Sequence, residues 1–226
     1  YLDEVIFRSI PDNGARYMEL KAGSIDMMDY INPEDVASVD DSPDLDLVLR
    51  PSFNVGYFAM HQDYEPVDNL LVRKAFAHAI NKNALIGAFY AGLAEPAKNP
   101  LPPSIWGYND EIEDYPYDLE RAKELLAEAG YPDGFEFDFY YMPVPRPYFP
   151  QPKLIAQAIQ YYLSQIGVTA NLLSYDWGTY LDKYYADELQ TYILGWTGDN
   201  GDPDNFLYVL LDQTQNNCGY ESEELH

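Results

Sequence analysis

Hydrophobic and polar positions change period several times along the chain, and the changes mark out its elements. In the first fifty residues, 2–8 and 25–31 are rich in β-branched and aromatic residues and predict strands, as does 45–50. Between them, Tyr17, Met18 and Leu20 predict a short helix ending at Gly23, and Asn32-Pro33-Glu34-Asp35 starts another, with Asn32 as cap. Residues 54–60 predict a further strand. From 69 to 81 the period lengthens: Val72, Phe76 and Ile80 recur every four residues, the mark of an amphipathic helix. A second helix over 83–90 ends at Gly92, and 96–117 is irregular and proline-rich. Asp118 caps a helix carrying Leu119, Ala122, Leu125, Leu126 and Ala129 inward, stopped by Gly130 and Pro132. Phe135, Phe137, Phe139 and Tyr141 then alternate with polar or amphipathic residues, a half-buried strand. Residues 151–165 predict a helix burying Leu154, Ile155, Ala158, Ile159 and Tyr162, followed by a strand over 168–173, a helix over 177–185 and a strand over 190–196. Strand, helix, strand at this spacing is a βαβ unit, so the fold class is α/β, with a parallel or mixed sheet.

Composition narrows the function. The chain has 226 residues with 38 Asp/Glu against 13 Lys/Arg, a net charge of −25. Like charges repel, so nucleic acid and anionic lipid are excluded as partners. An apolar share of 47% argues for a packed core, and the longest apolar run, 84–94, falls short of the ~20 residues a membrane span needs. The single cysteine, Cys218, has no partner within the chain for a disulfide. The chain opens on Tyr1, with neither an initiating Met nor a leader, and reads as a fragment.

Catalytic patterns fail. The three histidines, His61, His78 and His226, form no His-Glu-x-x-His pair, and there is no phosphate-binding loop or Gly-x-Ser-x-Gly elbow. His78 falls in the amphipathic helix and reads as structural. Any pair among 38 carboxylates is too weak a signal for an acidic hydrolase. No enzyme, no cofactor and no metal-ligand set are expected.

Two loops stand out. Gly195-Trp196-Thr197-Gly198-Asp199-Asn200-Gly201-Asp202-Pro203-Asp204-Asn205-Phe206 is a glycine-rich turn at the end of a strand, where open α/β sheets collect ligands. A calcium reading lacks a glycine after Asp204 and has Leu211 where a bidentate Glu is wanted, leaving an acidic loop of Asx turns as the plain alternative. In Met142-Pro143-Val144-Pro145-Arg146-Pro147-Tyr148, prolines stiffen the backbone around one of six arginines. Such an arginine suits a planar carboxylate, or it neutralises a neighbouring Asp.

These loops, with Asn54-Val55-Gly56-Tyr57, Val72-Arg73-Lys74-Ala75-Phe76, Ala97-Lys98-Asn99-Pro100 and Pro102-Pro103-Ser104-Ile105-Trp106-Gly107-Tyr108-Asn109-Asp110, resemble the dipeptide-binding proteins of bacterial ABC importers, within the peptide- and nickel-binding class of extracytoplasmic receptors. The resemblance runs along nearly the whole chain and matches the C-terminal half of the longer family chains. It implies a type II periplasmic-binding fold of two lobes, with a mixed sheet flanked by helices: residues 1–50 as part of the first and 51–226 as a ligand-binding second lobe, truncated at its C-terminal end. It also implies that Asp199 pairs with a dipeptide's ammonium and Arg146 with its carboxylate, with Trp177, Trp196, Tyr148 and Gly198 beside the ligand. The expected partners are a dipeptide and the membrane permease of an importer, the location is periplasmic or cell-surface, and the protein is a monomer. The ends of an extended dipeptide lie ~7 Å apart at ~3.3–3.6 Å per residue, so two fixed charges would measure ligand length. A longer peptide would leave a charge unpaired. Receptors for oligopeptides, haem or a metal chelate are the alternatives within the class.

Overall fold

In the computed structural model, residues 2–212 and 214–224 are described. The chain divides into two compact units, Tyr1–Leu49 and Arg50–His226.

In the first unit, helix α1 (Asn13–Lys21) starts where the Asp12 side chain accepts the Ala15 N–H at 2.7 Å, and it ends before Gly23. A 3-10 turn, Pro33–Asp35, leads into α2 (Val36–Asp40). Asn32 occupies the cap position, but its side chain makes no capping bond there. Tyr17 is buried and donates its hydroxyl to Ser38 at 2.9 Å, joining the two helices. The strands expected over 2–8, 25–31 and 45–50 are not formed. Leu2, Val5, Ile6 and Phe7 are exposed, Phe7 at 93%. A strand is stabilised by its neighbours across the ladder, and these segments have no paired strand among the described residues.

The second unit is built on a four-stranded mixed sheet. Its elements in order are β1 (Asn54–Met60), α3 (Leu70–Ala79), α4 (Lys82–Phe89), α5 (Leu119–Glu128), β2 (Glu136–Tyr140), α6 (Pro152–Ser164), β3 (Thr169–Leu173), α7 (Trp177–Tyr185), β4 (Thr191–Thr197) and α8 (Asp204–Leu211). The strand order is β1-β4-β2-β3. β2 runs parallel to β3 from Glu136↔Thr169 to Tyr140↔Leu173, and parallel to β4 at Tyr140↔Tyr192. β1 is antiparallel to β4, from Asn54↔Thr197 to Met60↔Thr191. β4 lies inside the sheet, and its first five residues are buried without alternation, as befits a strand covered on both faces.

The core gathers the inward stripes of the helices: Val72, Ala75, Phe76 and Ala79 of α3, Ala122, Leu125 and Leu126 of α5, and Ile155, Ala156, Ile159 and Leu163 of α6. Phe58 of β1 meets Phe139 of β2 edge-on, with ring centroids 4.9 Å apart. One expected core residue faces outward. Leu154 is 48% exposed, because the stripe of α6 runs through 155, 156, 159 and 163 and turns 154 away from the sheet. No helix among the described residues is long and apolar enough to cross a membrane.

Candidate functional site

The three mutually parallel strands end on one side of the sheet, and each is followed by a segment carrying residues singled out from the sequence. β2 leads into 141–150 with Arg146 and Tyr148, β3 into the start of α7 with Trp177, and β4 ends at Trp196 and Thr197 before Gly198 and Asp199. This is the edge where open α/β sheets present loops to a ligand.

The segment after β2 closes into a tight turn. The Arg146 N–H donates to Phe149 O at 3.0 Å and the Phe149 N–H returns to Arg146 O at 2.9 Å, with Pro147 and Tyr148 between them. Pro147 has a fixed φ and no N–H to satisfy, which suits a turn. The turn is anchored twice. The Tyr90 hydroxyl donates to the Tyr148 carbonyl at 2.7 Å, and the Tyr148 ring lies against Gly195 of β4. A Cβ at 195 would fall 2.3 Å from two atoms of that ring, so only glycine fits.

From this turn the Arg146 guanidinium reaches over Trp177, 4.8 Å from the ring centroid, a cation–π contact between the first two segments. Trp177 is set by its own helix. Asp176 caps α7, accepting the Thr179 N–H at 3.1 Å and the Thr179 hydroxyl at 2.6 Å, bonds that hold its carboxyl below the usual range. Trp177 stacks on Tyr180 at 5.9 Å and 12°, and the buried Tyr180 hydroxyl donates to Ile193 O of β4 at 2.9 Å. Burial raises the Tyr148 phenol above its ordinary value, and Arg146 pulls it the other way. Tyr180 is raised in the same way by burial.

The turn after β4 is a second assembly. Trp196 packs with Val55, Leu101, Ile105 and Phe206 in a small satellite core. The Gly198 N–H donates to Phe53 O at 2.8 Å, and a Cβ at 198 would lie 2.7 Å from the Phe206 ring. Asx turns shape the rest: the Asp202 N–H donates to Asn200 Oδ1 at 2.9 Å and the Asp204 N–H to Asp202 Oδ1 at 3.0 Å. Asp199 is exposed, and among the described residues it forms no ion pair with Arg146.

The six residues therefore fall into two groups, Arg146 with Tyr148 and Trp177, and Trp196 with Gly198 and Asp199. Sequence reasoning passed over parts that hold them, among them Tyr90, Tyr180 and Gly195. Gly195 next to Trp196 in a strand read only as part of a motif, although glycine inside a strand is itself a signal of close backbone approach. A cleft of about 1470 Å³ runs beside β1, lined by Tyr57, Phe58, Tyr90, Phe149 and Tyr192 among others, and of the six only Tyr148 reaches it. Burial pushes Tyr57 and Tyr192 in that wall well above the ordinary phenol value. Among the described residues no group of three or more His, Cys, Asp or Glu could hold a metal ion.

The sequence profile of bacterial extracellular solute-binding proteins, family 5 (middle region), matches residues 1–218. The chain belongs to that family. Heme-binding protein A of Haemophilus influenzae is 47% identical over 210 residues, covering 93% of this chain and 38% of that protein. The dipeptide-binding protein of Escherichia coli is 44% identical over 210 residues, covering 93% of this chain and 39% of that protein. A crystal structure of a dipeptide binding protein from a Pseudoalteromonas species in complex with Met-Leu superposes with a TM-score of 0.85, at 30% identity over 95% of this chain and 43% of that one. The chain thus spans well under half the length of these relatives, and its mixed sheet flanked by helices is a periplasmic-binding-protein fold.

Proposed function

We propose that this chain supplies the ligand-binding lobe of an extracytoplasmic receptor that takes up dipeptides and delivers them to the membrane permease of an ABC importer. In this reading it catalyses no reaction and works as a monomer in the periplasm or at the cell surface. Residues 1–50 belong to a first lobe and 51–226 to the second. The observation that carries the reading is the common edge: Arg146, Trp177 and Asp199 each follow the C-terminal end of one of three parallel strands. Asp199 takes the ligand's ammonium and Arg146 its carboxylate, with Trp177, Trp196, Tyr148 and Gly198 beside the ligand. The guanidinium rests on the face of Trp177 beside the Tyr148 phenol and forms no ion pair among the described residues, and its planar fork suits bidentate pairing with a ligand carboxylate. A charge left buried and unpaired costs several kcal/mol, on the order of a thousandfold in affinity, so both ends of the ligand are read.

The test is calorimetric titration of this chain, set into a full-length receptor in place of the segment it matches, with a free dipeptide and its N-acetylated and C-amidated forms. Tight binding of the free dipeptide, lost on blocking either end and on Asp199→Ala or Arg146→Ala, is the expected result. Equal binding of all three forms would overturn it. Haem is a second reading, favoured by the 47% identity to a heme-binding protein. A Soret-band titration that saturates at one haem per receptor, with no dipeptide binding, would select it.

A further inference from the structure

We infer that Asn205 is the residue that positions the ammonium-binding side of the site, by holding Asp199 and Trp196 on one oxygen. Its Oδ1 accepts the backbone N–H of Asp199 at 2.9 Å and the indole Nε1–H of Trp196 at 3.2 Å. An amide oxygen has two lone pairs, and both are used here.

The placement follows from the chain. Asn205 is the second residue of α8, half-buried, and lies six residues beyond Asp199. Pro203 starts the helix, the Asn205 N–H donates to Asp202 O at 3.2 Å, and Phe206 is fully buried against Gly198, so the first turn of α8 is fixed to the strand it serves. The Asn205 side chain then reaches back across the turn. Without it, Asp199 would sit on an exposed glycine-flanked loop and its carboxylate would sample many directions. With it, the Asp199 backbone and the Trp196 ring plane share one reference point. An Asp or Asn accepts here equally well by geometry, whereas a residue with no oxygen releases both donors together.

The inference rests on the reading of Asp199 as the ammonium's partner, and its test separates the two. In the 226-residue chain without substitutions, hydrogen exchange followed by NMR should find the Asp199 amide slowed despite its exposure, and the indole N–H of Trp196 slowed beyond that of the exposed Trp106. Rapid exchange at both would overturn the inference with no variant needed. In Asn205→Ala both should exchange faster and the Trp196 indole signal should shift, with the Trp106 and Trp177 indoles unmoved; Asn205→Asp should restore both. In the full-length receptor, Asn205→Ala should weaken the free dipeptide about tenfold and the N-acetylated form far less, with Asn205→Asp recovering the loss. If Asp199→Ala leaves dipeptide affinity unchanged, the ammonium reading fails. If Asp199→Ala abolishes binding while Asn205→Ala changes neither affinity nor exchange, the positioning role fails.

Discussion

The contact between Gly195 and the Tyr148 ring ties fold stability to the site, and Gly195→Ala tests it. A methyl group at 195 would lie 2.3 Å from Cγ and Cδ2 of Tyr148 and 2.6 Å from Val55 O. Neither neighbour yields cheaply. Val55 is in β1, paired with β4 at Trp196, and the Tyr148 backbone is held by the Tyr90 hydroxyl. Overpacking of this kind costs about 3 kcal/mol, which for a chain of this size lowers the melting temperature by about 6–12 °C. The assay is thermal unfolding by circular dichroism of the parent, Gly195→Ala, Tyr148→Ala and the double variant. With the ring gone, the two nearest atoms no longer oppose the methyl group while the Val55 carbonyl still does, so adding Gly195→Ala to Tyr148→Ala should cost at least about 1 kcal/mol less than in the parent. A parent and Gly195→Ala melting within about 2 °C of each other would refute the reasoning. So would an equal penalty on both backgrounds, because the ring would then not be what the methyl group meets.

Burial holds the Tyr184 phenol up at about 12 and pushes Tyr57 and Tyr192 in the same direction. The folded state thus favours the neutral phenols: their contribution is intact below the unfolded value of about 10 and is lost as pH rises towards 12. Urea midpoints should be level from pH 8 to 9.5 and fall from pH 10 to 11.5, and a flat profile throughout would contradict this. Tyr180→Phe removes a buried hydroxyl that donates to Ile193 O, and should lower stability by about 1–2 kcal/mol in urea unfolding, with no change refuting a stabilising bond. The net charge of −25 repels itself, so the melting temperature should rise as NaCl is added; a fall would argue against self-repulsion.

The second unit was legible because its elements carry signals that survive without tertiary context. Phe137 and Phe139 alternate with polar neighbours, Asn69, Asp118 and Asp176 stand where helices begin, and the two long loops are specific enough to resemble one family. The strands expected before residue 50 rested on β-propensity alone, which reports fitness for a pleated, half-buried surface; Leu2 to Phe7 find none among the described residues of their unit. Leu154 was misplaced by one step around a helix whose pattern offers apolar residues at both 154 and 155. Asn205 was hidden for a different reason. In Asp-Pro-Asp-Asn-Phe an asparagine reads as a turn former, and nothing in the order of residues says which two donors its oxygen will meet.

The two groups of candidate site residues are held by separate means, and in the proposed reading this bears on how both ends of a dipeptide are read. Arg146 is set by a closed turn, the Tyr90 hydroxyl and the face of Trp177, while Asp199 is set by α8 through Asn205. Both groups rest on β4, buried and paired on both sides, with Gly195 against Tyr148 and Trp196 bonded to Asn205. A loop of free glycines and aspartates would let the carboxylate follow whatever ligand arrived, and a longer peptide would be taken almost as well as a shorter one. Fixing Arg146 in the turn after β2 and Asp199 in the turn after β4, each by its own anchors, removes that freedom. In the proposed reading, where Asp199 and Arg146 take the two ends of a dipeptide, discrimination by ligand length follows from these two anchors and needs no side-chain pocket.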